Sequence, residues 1–350
     1  MSTMHDVAQR AGVSLKTVSR VVNGEPNVSE QTRRKVDAAI AELDFRPNSV
    51  ARNLRTGRID LVGLALPHLS QPYFSSLAEE IMREAERHGL TVLIELTEGD
   101  AEAELALVRE HGPHLGGLLM YPVGLSDAQA LTVARTVPTV FVSERAYEAP
   151  VDRVAMANRE GIRALVGHMV SLGYTRIAAL GADHTGRPER AAAQLRLEGY
   201  REGLRDAGLP YLPDLVLEVG TPHWNRQEGA TGMRRLIDSG VPFDAVVAFA
   251  DALALGALHT LQEAGVRVPA EVAVAGFDDT DDARYAQPSL TSIDPGRAQI
   301  AREALALLND RMNDRATGTV ERDTGRLVVA DHQLSVRDST LGGMAAWGGA

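Results

Sequence analysis

Residues 8–36 read AQRAGVSLKTVSRVVNGEPNVSEQTRRKV, and this stretch decides how the amino-terminal end of the chain folds. Just before it, Thr3 and Asp6 form a capping pair for a helix whose apolar face is Val7, Ala8 and Ala11. Gly12 breaks that helix. Ser14 suits the cap of the next, where Val18, Val21 and Val22 recur at helical spacing until Asn23-Gly24. Ser29 opens a third helix, with Val36, Ala39, Ile40 and Leu43 on one face, and Pro47 stops it. Two short helices joined by a tight glycine-containing turn are the geometry of a helix-turn-helix. The second helix of such a unit must present polar residues near its start to base edges in the major groove. With the valines turned inward, Leu15, Lys16, Ser19 and Arg20 face out. Lys16 and Arg20 can donate to guanine O6 and N7, and Leu15 can touch a thymine methyl. Ser14, Thr17 and Asn23 can reach phosphates. A small helical domain with a solvated basic face fits the periodicity equally well.

Working outward, the 350 residues carry a net charge of −11, which alone argues against nucleic acid. Charge is unevenly spread. Residues 1–58 hold ten Lys and Arg against six Asp and Glu, a net of +4, which leaves −15 for the remainder. A small basic module attached to a large acidic one is the expectation. There are no cysteines, which excludes a disulfide scaffold, a zinc-thiolate site, an iron–sulfur cluster and a cysteine nucleophile. The opening MSTMHDVAQRAG has no apolar signal region, and the longest apolar runs, such as Leu61–Leu66, are far too short for a membrane span. A soluble, cytoplasmic protein with no membrane partner is expected.

From Ile59 onward short apolar runs alternate with amphipathic stretches. Strands are expected at Leu61–Leu66, Thr91–Leu96, Gly117–Met120, Thr139–Val142, Ile177–Leu180, Ala245–Phe249 and Val272–Ala275. Helices are expected at Phe74–His88, Arg159–Leu172, Leu195–Ala207, Arg226–Ser239 and Ala252–Ala264. This alternation implies parallel sheets covered on both faces, and its length implies two doubly wound lobes. The tail 341–350 reads as disordered and offers no heptads for further assembly. No phosphate-binding glycine loop, nucleophile elbow or helical HExxH occurs, and the acidic run Asp278, Asp279, Asp281, Asp282 lacks calcium-loop spacing. No enzyme activity, metal or cofactor is expected.

The amino-terminal stretch closely resembles the headpiece of the LacI/GalR family of bacterial repressors. The matching words are Asp6-Val7-Ala8, Ala11-Gly12-Val13-Ser14, Thr17-Val18-Ser19-Arg20-Val21, Asn23, Val28-Ser29, Arg46-Pro47-Asn48 and Ala51-Arg52-Asn53-Leu54, and the likeness runs on to Arg337-Asp338-Ser339-Thr340. The resemblance implies a helix-turn-helix headpiece over 1–58 and a periplasmic-binding-protein-like core of two doubly wound parallel-sheet lobes over 59–340. The implied first lobe covers about 59–157 and 292–322, the second about 158–291 and 323–340. It also gives 48–57 a role as a hinge helix that forms on the operator, with Asn48 among the DNA contacts and Leu54 wedged into the minor groove. An apolar wedge there kinks DNA at a cost of a few kcal/mol. A linker leucine packing on the core is the alternative for Leu54.

By the same resemblance, ligand sits between the lobes at the carboxyl ends of strands. The implied effector contacts are Tyr73, Phe74, Asn158, Arg196, Trp224, Asp251 and Asp278. Each has a plainer alternative: core packing for Tyr73 and Phe74, an ion pair for Arg196, a rim position for Trp224, helix capping for Asp278. Ala250 and Ala157 stand where the family often has polar residues, and the register around Ser143-Glu144-Arg145 is ambiguous by one residue. An arginine fork, an aspartate and a tryptophan suit a polyol, hence a sugar or glycoside, with a purine-like ligand as rival. The whole reads as a homodimeric regulator, in the main a repressor, on a near-palindromic DNA operator. A transporter's solute-binding protein and a sugar-processing enzyme are the alternatives from other classes.

Overall fold

The computed structural model describes residues 3–22, 28–45, 59–187, 190–219, 224–318 and 325–341. The chain divides into two compact units, Met1–Asp60 and Leu61–Ala350.

The first unit contains α1 (Met4–Ala11), α2 (Leu15–Val22) and α3 (Glu30–Glu42). The capping pair forms as its residues require. Thr3 Oγ1 accepts from the Asp6 amide at 3.3 Å, and the Asp6 carboxylate accepts from the Thr3 amide at 2.8 Å. Gly12 closes α1 at φ +67°, which a side-chain-bearing residue adopts only with strain. Val7, Val18, Val21 and Val36 form the small core, joined by Phe45, which the helical periodicity does not pick out because it lies beyond α3. The hinge helix expected at 48–57 and the tail expected after 341 lie outside the described residues.

The second unit begins with β1 (Leu61–Leu66), β2 (Thr91–Leu96), β3 (Gly117–Met120), β4 (Thr139–Val142) and β5 (Asp152–Met156). It continues through β6 (Ile177–Ala182), β7 (Val216–Glu218), β8 (Ala245–Ala248), β9 (Ala273–Phe277), β10 (Thr291–Asp294), β11 (Leu327–Ala330) and β12 (Gln333–Ser335). The intervening helices are α4 (Pro72–Arg87), α5 (Ala101–His111), α6 (Asp127–Thr136), α7 (Asn158–Ser171), α8 (Ala191–Asp206), α9 (Arg226–Asp238), α10 (Asp251–Glu263), α11 (Asp281–Tyr285) and α12 (Arg297–Thr317). No helix among the described residues is long and apolar enough to cross a membrane.

The strands form two six-stranded sheets, ordered β11-β5-β4-β3-β1-β2 and β12-β10-β9-β8-β6-β7. Among the described residues all pairings are parallel except β10 with β12. Central strands such as β3, β4, β8 and β9 are buried along their whole length, which is why they read as unbroken apolar runs. The short edge strands β7 and β12 are mixed in character, so the apolar run that marks a strand is missing from them, whereas β11 is an apolar run, Leu327–Ala330, on a partly exposed edge.

The chain crosses between lobes three times, and two crossings fall elsewhere than the lobe bounds of the sequence reading. The first, from β5 into α7, is at the expected place. Thr291–Asp294 pairs with β9 and so belongs to the second lobe, and the chain leaves for the first lobe only after it. Leu327–Ala330 pairs with β5 in the first sheet, not the second, and the last crossing follows it. The physical reason is pairing partner: an edge strand takes its lobe from the neighbour whose backbone it bonds, which its own residues do not reveal.

Close helix packing in the second lobe depends on glycine. A Cβ at Gly199 on α8 would lie 2.2 Å from the Arg159 carbonyl oxygen on α7, so only hydrogen allows this approach. In the first lobe the carboxylate of Asp152, with no exposed surface, is gripped by two arginines. Arg311 donates Nε and Nη2 to it at 2.9 Å each. Arg326 donates its amide at 2.8 Å and Nη2 at 2.8 Å. This cluster ties β5, α12 and β11 together.

Candidate functional site

Between the lobes of the second unit lies a cleft of about 510 Å³. Its walls come from the carboxyl ends of the strands: Pro67–Phe74 after β1, Glu98–Ala101 after β2, Tyr121–Gly124 after β3 and Met156 on β5. The facing wall is Arg190–Arg196 on and before α8, Trp224, Ala250 and the Asp278–Thr280 turn. Strand ends are where parallel sheets converge their loops, so a site here follows from the topology.

Arg196 is the fixed point of the cleft. It is only 2% exposed and is the largest fully buried side chain among the described residues. Its Nε donates to Asn158 Oδ1 at 2.6 Å, and its Nη1 donates to the Phe249 carbonyl. The guanidinium lies over the Phe277 ring at 3.7 Å and near the Trp224 ring at 4.9 Å. Its Nη2 stands 3.8 Å from Asp278 Oδ1, too far for a direct hydrogen bond. The guanidinium and the facing carboxylate both border the cleft.

Asp278 is held in a strained backbone, with φ +117°, followed by Asp279 at φ +47°. Arg297 clamps the turn by donating to the Asp278 carbonyl and, at 3.0 Å, to the Asp279 carbonyl. Burial pushes the Asp278 carboxyl up, and the Arg196 and Arg297 charges oppose it. Asp279 faces away from the cleft. Its carboxylate accepts from Arg337 and, at 3.1 Å, from Ser335 Oγ.

Across the cleft, Tyr73 and Phe74 pack edge to face at 5.3 Å, and Phe74 meets Tyr121 at 4.9 Å. Tyr121 Oη donates to Glu144 Oε2 at 2.7 Å. Burial raises both tyrosines well above the ordinary phenol value. Tyr73 Oη, Glu144 Oε1 and Trp224 Nε1 are buried and lack a hydrogen-bond partner among the described residues. Unmet buried groups at a cleft cost roughly 1–3 kcal/mol each until something bonds them.

Five of the seven residues expected at this site, Tyr73, Phe74, Arg196, Trp224 and Asp278, line the cleft. The tyrosine and phenylalanine are core and lining at once, because helix α4 starts at the rim with its first turn buried. Asn158 and Asp251 stand behind the wall instead. Asn158 is spent on Arg196. Asp251 has no exposed surface, and its carboxylate accepts from Ser292 Oγ at 2.6 Å, the Thr280 amide at 2.8 Å and Thr280 Oγ1 at 3.1 Å. It shapes the Asp278–Thr280 turn from within. Burial, and then the charge of Asp278, push its carboxyl up.

Tyr121 lines the cleft, and Glu144, Arg297 and Glu104 support its wall from behind; the sequence reading committed to none of them. Tyr121 directly follows β3, a position from which it could have been found. Glu144 falls in the segment whose register was ambiguous. Glu104 gave no signal. It is fully buried on α5, and its Oε1 accepts the Val123 amide at 2.7 Å, pinning the Val123–Gly124 part of the cleft wall.

In the first unit, Leu15 is 49% exposed and Lys16 is exposed, while Ser19 and Arg20 are half-buried. Ser14 Oγ accepts the Thr17 amide at 3.2 Å and bonds Thr17 Oγ1 at 2.8 Å, which starts α2 and places its first turn at the surface. Asn23, Asn48 and Leu54 lie outside the described residues.

The described geometry agrees with comparisons to known proteins. Residues 3–48 match the family of bacterial regulatory proteins called lacI, and residues 166–340 match the periplasmic binding protein-like domain. The HTH-type transcriptional regulator CelR of Thermobifida fusca is 33% identical over 347 residues, 96% of this chain and 98% of that protein. A solved LacI-family regulator from Sanguibacter keddieii is 44% identical, with a TM-score of 0.74 over 81% of this chain and all of that one. A CelR–cellobiose complex is 30% identical, with a TM-score of 0.68 over 97% of this chain and all of that one. The lac repressor dimer bound to operator and an anti-inducer is 29% identical, with a TM-score of 0.77 over 97% of this chain and 99% of that one.

Proposed function

Because the chain belongs to the lacI family of bacterial regulatory proteins, and is thus a DNA-binding transcriptional regulator and not an enzyme, we propose that it is a homodimeric repressor controlled by a sugar or glycoside held between the lobes of its core. The observation that carries the ligand class is the Arg196–Asp278 pair at 3.8 Å, beside Trp224 and its unmet indole N–H. A fork donor, a carboxylate acceptor and an aromatic face together match vicinal hydroxyls on an apolar ring face. The relative solved with cellobiose supports the same class.

On the DNA side, Leu15, Lys16, Ser19 and Arg20 read base edges of one half-site, Ser14, Thr17 and Asn23 hold phosphates, and Asn48 is a further DNA contact. Leu54 wedges into the minor groove. The lac repressor dimer on its operator supports the two-protomer arrangement. Effector binding changes operator affinity only by its differential affinity for the two lobe arrangements.

The test has two arms. Selection from random DNA should enrich a near-palindrome, and no enrichment refutes the regulator reading. A thermal-shift panel of sugars and purines should stabilise the protein with a sugar and lose that shift in Arg196→Ala. A shift with purines alone moves the ligand class to the rival reading.

A further inference from the structure

Helix α12 is held by an arginine near each end. Arg297, its first residue, follows the second crossing and reaches back to the other lobe, donating to the Asp278 and Asp279 carbonyls. In the same turn Gln299 Oε1 accepts the amide of Asp331, in the third crossing, at 3.0 Å. Further along, Arg311 donates Nε and Nη2 to Asp152, and Arg326 completes the grip. At 1.5 Å per residue the two arginines stand about 21 Å apart along the axis, and a separation of about four turns puts them on one face.

Between them that face is Ile300, Ala301, Ala304, Leu305 and Leu308, all buried, and the helix lies against β3, β4 and β5. Apolar packing is non-directional and tolerates a small shift of a helix along its axis. A guanidinium fork on fixed acceptors does not, so the two arginines set where α12 stands. A displacement of the Asp278–Asp279 turn is thereby passed to the helix as a whole. The strands β1, β3, β4, β5 and β11 run parallel, so their first residues share the end of the sheet opposite the cleft. Asp152 opens β5 there, and Arg326 directly precedes β11. Leu61 opens β1 at that same end, and it is where the chain enters this unit from the first.

We propose that α12 is a connecting rod between the cleft and the end of the core to which the first unit is joined in the chain. Arg297 is the positioning residue that takes up movement of Asp278, and the Arg311–Asp152 pair delivers it. The assignment holds for any ligand that moves Asp278, whether or not it is a sugar.

Hydrogen exchange of the full chain, read by mass spectrometry, tests this with Arg297→Lys, Arg311→Lys and the double variant. A lysine ammonium cannot hold two acceptors in the directions of a guanidinium fork. Arg297→Lys should speed exchange at least about threefold in 278–280, and equally in 152–156 and 326–330 at the other end of the helix. Arg311→Lys should reach 278–280 from the far side. In the Arg297→Lys background it should no longer alter 278–280, because the rod is already cut. Peptides from β8 in the second lobe should exchange as in the parent protein. Effects confined to each variant's own end, an even rise across both lobes, or an Arg311→Lys effect on 278–280 that survives in the double variant overturns the proposal. Arg311→Gln serves the same arm where Arg311→Lys does not fold.

Discussion

Arg196 and Asn158 are joined by a 2.6 Å hydrogen bond between two fully buried side chains, one on α8 and one at the start of α7. The bond lies just after the first crossing, so it fixes the cleft-lining guanidinium to the lobe junction. Asn158→Ala should weaken effector binding although Asn158 does not line the cleft. A buried hydrogen bond to a charged group contributes about 1.5–3 kcal/mol, so a loss of roughly tenfold or more is expected by calorimetry. Arg196→Lys should fail as well, because one ammonium cannot serve Asn158, the Phe249 carbonyl and a ligand in fixed directions.

Asp152 governs acid stability. Burial pushes its carboxyl up, but the Arg311 and Arg326 hydrogen bonds outweigh burial and hold it down at about 2. A carboxyl lowered on folding stabilises the protein above its unfolded value and loses that contribution as pH falls through about 2. The loss should amount to about 2–3 kcal/mol between pH 5 and pH 2, read from denaturant unfolding. Asp152→Asn should remove this pH dependence and cost about 3–5 kcal/mol at neutral pH, because both arginines keep their charge beside a neutral partner.

Glu104 has the opposite sign. Burial pushes its carboxyl up to about 7, against the lowering effect of the Val123, Gly124 and Leu125 amides. A carboxyl raised on folding favours the fold at low pH, and that advantage is lost as pH rises from the ordinary carboxylate range through about 7. Glu104→Gln keeps an acceptor for Val123 without the charge. Relative to this variant, the parent protein should lose stability between pH 5 and pH 8, with melting temperatures converging at the acid end. Parallel melting curves across that range would show that Glu104 carries no buried titration.

Arg20 on α2 is the base-reading cation of the headpiece proposal. Arg20→Ala should cost about 1–3 kcal/mol of operator affinity and relax base preference at one position per half-site. Binding selections on the two proteins check this. A uniform loss at all positions would reassign Arg20 to the phosphates.

The fold was legible wherever burial is complete. Val18 and Val21 on α2 and the unbroken apolar run Leu61–Leu66 announce their elements, because a fully buried surface tolerates only apolar residues. Leu327–Ala330 announces nothing about its lobe, since its neighbour is set by the path of the chain and not by its own side chains. The cleft was legible in the residues that touch it directly, Arg196, Trp224 and Asp278. Asp251 misled because an acidic residue after a strand looks the same whether it faces a ligand or three protein donors. Glu104 was invisible because it acts from a helix face on the backbone of a loop that is distant in sequence.

The three crossings have a mechanical meaning. Three near-neighbouring strands of polypeptide, leaving β5, β10 and β11, act together as a flexural strip between two stiff plates. Sliding the plates would stretch all three segments at once, whereas tilting them bends each a little. The soft motion left to the core is therefore a rotation about that strip, and ligand at the far, open end works with the longest lever arm.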